Sequence, residues 1–401
     1  MKKNTISRAV VNTVVNELDK ETRLPAAGEL VFKDFDSLRT FALQQQDTDI
    51  WETQAINGLE IIPVGNYPIF AQDVIDKNGL SMSVDEMRDF MENDGFLLKA
   101  SGCETMPLRY TAVRGMRDRA GLNGSAFSVL SRDETAMILN TCYRRWGNKC
   151  LVLKRDGAIG ALHSGDDNDY SPLPMGSLLE IFEEETRAAF SGCEYEGGFM
   201  SHEFCGACFR VKDANASKAF ATAIRSLGYD EKDVTLYVRF SSSDVALCGA
   251  NLAVLVKTGG VTMQIGNALS LTHKSKHSVE DFRQNCQKVH ALYKDGAERM
   301  DALTHVTLSH PIGCLKGVSK KLGIPKKYFT NAEKQSLSLL DTIEVNISDQ
   351  PTAFELYYYL WNIIPEMKNS DASNKQIVDM QENLTRALYI DWKEFDCECE
   401  W

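Results

Sequence analysis

The hydrophobic positions between 234 and 304 set the expectation for the rest of the chain. Val234, Leu236, Val238 and Phe240 alternate with Thr235, Tyr237 and Arg239, the period of two that buries one face of a strand. Residues 245–256 are more continuously apolar, as a central strand is. Gly259-Gly260 supplies the positive φ of a hairpin turn. After it Val261, Met263 and Ile265 alternate again, and Leu269, Leu271 and His273 share the next face. Ser278 with Asp281 reads as a capping box. Beyond it Val279, Phe282, Cys286, Val289, Tyr293, Gly296, Met300 and Leu303 recur at steps of three and four. That spacing predicts one long helix with a narrow apolar seam. The predicted class is α+β: an antiparallel sheet with a long helix packed across it and flanking helices.

The first 99 residues are acidic and read as an N-terminal module whose independence the sequence leaves open. Helical periods appear at 10–18, 38–43 and 83–91, separated by the extended, turn-rich passage GLEIIPVGNYPIF. From 100 to 175 the pattern predicts a helix, a small turn, a second helix and a hairpin closing at Asp156-Gly157. A helix at 178–190 follows, carrying Glu183 to Glu185. Next come a strand pair turning at Gly197-Gly198 and a helix capped by Asp213 and ended by Gly228. Further helices are expected at 333–345, at 352–364 before Pro365, and at 374–390. Residues 100–393 form the main domain, and 394–401 are an acidic tail. There Asp396, Glu398 and Glu400 alternate with Cys397 and Cys399, and Trp401 is last. Such a tail fits a basic pocket on a host or element-encoded protein, or covers a groove of its own chain.

One order of motifs is specific enough to suggest a lineage. It runs LVLKRDGAIGALHS, then YSPL, then a strand pair around two glycines, then VRFSSSDVALCGANLAV, then a strand entering a His before a long helix. This resembles the phage- and plasmid-encoded family designated domain of unknown function 932. TAFELYYYLWNII and RALYI resemble that family's later helix and closing segment, so the likeness spans about residues 100–392. Two family arginines are missing: no basic residue lies between Ser164 and Tyr170, and Ala246 or Leu247 stands before the strand Cys. A ligand held by those arginines in the family is held differently here. The resemblance implies a protein of a mobile element or its host, and it brings no assigned activity.

Composition narrows the classes. No apolar run approaches the ~20 residues of a membrane span, and the start lacks the apolar core of a signal peptide. Eleven cysteines scattered through a chain of 401 residues favour reduced thiols and a cytoplasmic setting. A net charge of −12 opposes indiscriminate adhesion to nucleic acid or anionic membrane. Any polyanion must therefore be met by a local basic patch.

Candidate chemistry is sparse. His202, Cys205 and Cys208, with Cys193 nearby, offer four soft donors for zinc. On a strand, however, residues three apart face opposite sides, so buried thiols are expected and no cofactor, zinc included. His273 and His277 stand four apart, but the helix begins only at Ser278, so they do not share a helical face. No Walker loop, nucleophile elbow, dinucleotide fingerprint or His-Glu-x-x-His motif occurs, and a non-enzymatic role is expected. The basic clusters are more suggestive. They comprise Arg109, Arg114, Arg117 and Arg119; Arg144 and Arg145; Lys274 and Lys276; and Lys320, Lys321, Lys326 and Lys327 beside Tyr328. Cations beside rings suit a single-strand groove, where cations track phosphates and rings stack bases. Two readings stay open. One is a mobile-element accessory protein that binds or anneals single-stranded DNA, with self-assembly on the strand. The other is a protein-interaction module, such as a host-defence modulator, whose acidic surface binds a basic partner. A zinc-containing protein is the lesser alternative.

Overall fold

The computed structural model describes residues 12–15, 28–55, 58–64, 68–82, 87, 90–91, 95–99, 104–122, 127, 129–143, 149–164, 170–274, 276–329, 347–370 and 372–398. The alternating stretch from Val234 becomes three neighbouring antiparallel strands at one end of a seven-stranded sheet. That sheet runs β1 (Asn12–Val15), β2 (Glu29–Phe32), β9 (Gly192–Ser201), β10 (Cys205–Lys212), β11 (Thr235–Ser242), β12 (Ala250–Thr258), β13 (Val261–Leu271). A second sheet of six strands runs β3 (Ile50–Ala55), β7 (Lys149–Arg155), β8 (Ala158–Ser164), β6 (Met106–Leu108), β5 (Phe96–Lys99), β4 (Glu60–Pro63). Among the described strands only β1 with β2 and β6 with β8 pair in parallel, and the fold is α+β.

The larger sheet separates its two faces by residue parity. Leu236, Val238 and Phe240 of β11 face the core, where Phe240 meets Phe182 of the Met175–Ala189 helix and Phe282 of the Val279–Cys286 helix, both at 5.6 Å. Arg239 faces the other way and donates to Gln264 of β13 and to Gln381 of the Asn374–Thr385 helix. The helix expected over 279–303 is two, Val279–Cys286 and Val289–Thr304. The break falls at Gln287-Lys288, where the seam steps from Cys286 to Val289, and the seam is buried on both sides of it. The Ser278–Asp281 capping box is formed. Gly296 sits in the seam because a Cβ there would lie 2.9 Å from Cβ of Ile265.

Other expectations shift for identifiable reasons. The turn placed at Gly197-Gly198 lies at His202–Phe204 instead, and the two glycines are inside β9. Gly198 is small for another reason: a Cβ would come within 2.8 Å of Leu38 on the Phe35–Thr48 helix and of the Gly206 carbonyl. The helical period at 10–18 yields to strand pairing of β1 with β2. Pro365 does not stop a helix but stands in the first turn of Ile363–Asn369, where its missing N–H leaves nothing unsatisfied. The boundary at 99 does not separate the sheets, because β2 pairs with β9 and β3 with β7. The helix expected at 333–345 lies outside the described residues, as does most of 83–91.

The acidic tail begins as a fixture of the fold. Asp396 accepts from the backbone N–H of Ser309 at 2.8 Å and of His310 at 2.7 Å, at the start of the Pro311–Leu322 helix. Lys393 donates to its other oxygen at 3.0 Å, and the side chain is 8 % exposed. Cys399, Glu400 and Trp401 lie outside the described residues. Replacing Asp396 by Ala strands two donors at a helix start, so it should cost about 1–2 kcal/mol in urea unfolding. An unchanged unfolding midpoint would show that the tail does not dock there.

Candidate anion site at the seam between the sheets

The two sheets meet around one buried ion cluster. β7 ends at Arg155, and Asp156 and Gly157 turn the chain with φ of 49° and 74°, as a two-residue hairpin requires. The Arg155 side chain is 2 % exposed. Its Nε donates at 2.9 Å to Asp49, which links the Phe35–Thr48 helix to β3, and Nη1 donates at 3.3 Å to Asp244, just past β11. Nη2 donates to both carboxylates. Burial raises the Asp49 carboxyl above its ordinary value, and Arg155 only partly offsets that. At Asp244 burial acts upward too, but the guanidinium outweighs it and holds the carboxyl below its ordinary range. A second tie forms where the β9–β10 turn inserts His202. Its Nε2 lies 2.9 Å from the Thr111 hydroxyl, which donates to the Gly160 carbonyl at 2.6 Å.

Above the ion cluster stands a ladder of rings. The Tyr170 hydroxyl donates to the carbonyl of Asp244. Its ring is 3.7 Å from His163 with planes 7° apart, and 5.3 Å from His273 with planes 4° apart. Trp51 lies 5.4 Å from Tyr170. His163, Tyr170 and His273 are each at most 4 % exposed, so their faces cover one another and none is open to a nucleobase. Burial holds His163 near 3, with the positive Arg119 adding to it, and holds His273 near 4. Both imidazoles are neutral at neutral pH. Arg119 donates towards His163 Nδ1 at 3.4 Å, which puts the ring proton on Nε2. That Nε2 is buried without a hydrogen-bond partner, whereas the His273 ring bonds the Ser171 backbone.

Beside the ladder lies a cleft of about 450 Å³. The Tyr110–Arg119 helix supplies Arg114 and Arg119, the exit of β13 supplies His273 and Lys274, and residues 245–249 close one side. Gly115 lets the helix sit against β8, since a Cβ there would lie 2.9 Å from the Leu162 carbonyl. Asp118, 3.9 Å from Arg114, is the one carboxylate among the described lining residues. Burial lowers Arg119 to about 10, which leaves it charged. Among the described residues the lining is therefore cationic on an acidic protein.

Of the residues singled out by sequence, Arg114, Arg119 and Lys274 come together here. Arg109 sits just before the helix, its N–H donating to Ile159. Arg117 stands 4.5 Å over the Phe127 ring, and Lys276 is exposed beyond the cleft. Arg144 and Arg145 lie outside the described residues. Lys320, Lys321, Lys326, Lys327 and Tyr328 do not line the cleft. Tyr328 is half-buried against the core with Lys327 5.0 Å over its ring. The four proposed zinc donors do not converge. Cys205 stands opposite Ser242 on the core face of β10, Cys208 stands opposite Arg239 on the other face, and His202 is engaged with Thr111. Among the described residues no group of three or more His, Cys, Asp or Glu side chains is placed to hold a metal. Asp49, Arg155, His163, Tyr170 and Asp244 were not singled out as site residues. Arg155, His163, Tyr170 and Asp244 lie within LVLKRDGAIGALHS, YSPL and VRFSSSDVALCGANLAV, but nothing in the local spacing brings them together.

Three seam imidazoles make the fold acid-sensitive. Burial holds His202 near 3, as it does His163, and His273 near 4. All three lie below the ~6.5 of a free imidazole, so the unfolded chain binds their protons more tightly. Their contribution to stability is complete above about pH 6.5 and is lost as pH falls towards 4 and then 3. The loss is about 1.4 kcal/mol per pH unit for each ring. Glu29, raised to about 7 by burial, works the opposite way over the upper part of that window. The ring ¹⁵N signals of His163, His202 and His273 should stay those of neutral imidazole down to pH 5 while unfolding by urea becomes easier. Titration of any of the three near pH 6.5 in the folded protein would contradict the buried seam. No family model matches this chain, and no curated protein or solved structure matches it.

Proposed function

We propose that this chain binds single-stranded nucleic acid through its phosphates, with the cleft between the sheets as the contact. One observation carries the reading: Arg114 and Arg119 from one helix and Lys274 from a distant strand exit line a single cleft. Clustered cations that neutralise phosphate are the common requirement of such proteins. The closed ring ladder removes base stacking from this cleft, so binding there is tolerant of sequence and strongly dependent on salt.

The rival reading, a module for a basic protein partner, has its own support. A groove of about 590 Å³ beside the Val289–Thr304 helix is lined by Asp213, Glu298 and Asp301, with Lys294 and His290 beside them. The two separate by salt-dependent anisotropy with a labelled 40-mer. Three phosphate contacts give a log–log slope of about −2 for a single strand. The double variant Arg114→Gln/Lys274→Gln should flatten it by about 1.4, and duplex should bind more weakly. No binding below about 10 μM at low salt, where even non-specific binders show affinity, removes the nucleic-acid reading and leaves the acidic groove.

A further inference from the structure

The end strand β3 carries an inference about assembly that does not depend on the cleft. A strand at the end of a sheet offers unpaired backbone groups to any other strand, and folded proteins usually guard it. Two of the sheet ends here are met by side chains. At β4 the Asn140 amide imitates a neighbouring strand: it accepts from the Ile61 N–H and donates to the Ile61 carbonyl, both at 2.8 Å. At β13 Tyr357 and Thr385 donate to the Gln264 carbonyl at 3.1 and 3.2 Å, and the Asn267 N–H donates to the Tyr389 hydroxyl at 3.1 Å. The β1 end is only four residues long. β3 is six residues long and half-buried or exposed throughout, with Ile50 54 % exposed. Among the described residues no strand lies beyond it. It contains no Pro or Lys, the residues that commonly guard an edge.

We propose that β3 is the contact of a twofold dimer, in which the β3 strands of two copies pair antiparallel and join their six-stranded sheets edge to edge. Charge is the first argument. Each copy carries −12, so two copies can meet only where the surface is locally neutral. The one charged residue of β3 is Glu52, and its carboxylate is held by Lys154 of β7 and by the Gln54 amide. Backbone parity is the second. The outward N–H and C=O groups of a strand belong to alternate residues, so two copies pair only residues of the same parity. The twofold axis therefore falls on a residue opposed to its own copy. An axis at Glu52 sets carboxylate against carboxylate, which is destabilising. An axis at Thr53 sets Thr against Thr, a favourable cross-strand pair. It also places Glu52 opposite the partner's Gln54 and Trp51 opposite the partner's Ala55, carboxylate to amide and large to small. The strand is self-complementary in that register.

The test is the mass of the full chain by sedimentation and light scattering across the micromolar range. A single strand pairing is smaller than a standard interface, so a concentration-dependent monomer–dimer equilibrium is expected. Thr53 is exposed, and Thr53→Lys and Thr53→Glu each oppose like charges across the axis. Each should weaken the dimer by about tenfold or more, with an unchanged melting curve showing that the variant is folded. An equimolar mixture of the two variants should restore dimers, now heterodimers, because opposite charges then face each other. A wild-type chain that stays monomeric overturns the proposal and leaves the edge to a strand of another protein. Dimers that persist in both variants place the contact elsewhere and overturn it too. Two monomeric variants whose mixture stays monomeric overturn the axis at Thr53 and with it the proposal.

Discussion

The seam between the sheets depends on Arg155. Its guanidinium is buried where water cannot solvate it, so it must be held by Asp49 and Asp244 or the sheets cannot meet there. Breaking such a pair typically costs about 3–5 kcal/mol, because the remaining charge is left uncompensated. The apolar contact at the same place is small: Leu153, Ala161 and Val245, with Trp51 and Leu247 partly buried against them. Leu153 and Val245 stabilise by roughly 1.5–3 kcal/mol each at most and Ala161 by about 0.8, and they permit sliding, whereas a forked guanidinium between two carboxylates does not. The ion cluster thus fixes geometry more than it adds stability. Asp244 fixes the carbonyl that Tyr170 donates to, Tyr170 fixes both histidines, and the histidines form the inner wall of the cleft.

The closed ladder changes what the basic residues mean. Cations beside aromatics suggest stacking on bases, but Tyr170 is buried and stacked with two imidazoles. What the cleft presents is charge: Arg114, Arg119 and Lys274 against Asp118. A low-dielectric wall behind the cations strengthens their attraction for an anion over that of the same side chains on an open surface. An anion bound there would favour the protonated form of a nearby imidazole.

Strand positions were legible where the period of two ran unbroken. Val234 to Phe240, the Gly259-Gly260 turn and the Ser278 cap all follow from local rules and stand as read. The strand period also placed Cys205 and Cys208 on opposite faces before any fold was known, and the register against Ser242 and Arg239 shows it. Long-range pairing was not legible. Nothing local in residues 29–32 or 50–55 says that they join strands more than ninety residues away. The ion cluster is the clearest case, since Arg155 lies 106 residues from Asp49 and 89 from Asp244. Such distances leave no spacing to recognise. Glycine misled for a related reason: Gly197-Gly198 resembles a turn, yet Gly198 is needed for close approach of a helix.

An acidic protein with a basic cleft raises the question of which charge a polyanion responds to, and magnitudes decide it. A net −12 acting from ~25 Å through water amounts to about 2 kcal/mol of repulsion per unit charge before screening. With a Debye length of about 8 Å at physiological ionic strength, that falls to about a tenth of a kcal/mol or less. A contact pair at ~4 Å near a protein surface is worth about 4 kcal/mol before desolvation is subtracted, and it is screened far less. Three such contacts outweigh the global charge at equilibrium even after most of each is lost to desolvation. The global charge acts where the partner is still distant and salt is low, and there it slows approach. On the proposed reading, affinity and approach answer to different parts of this surface: the acidic exterior would govern how often an anion arrives, and the three cations at the seam whether it stays.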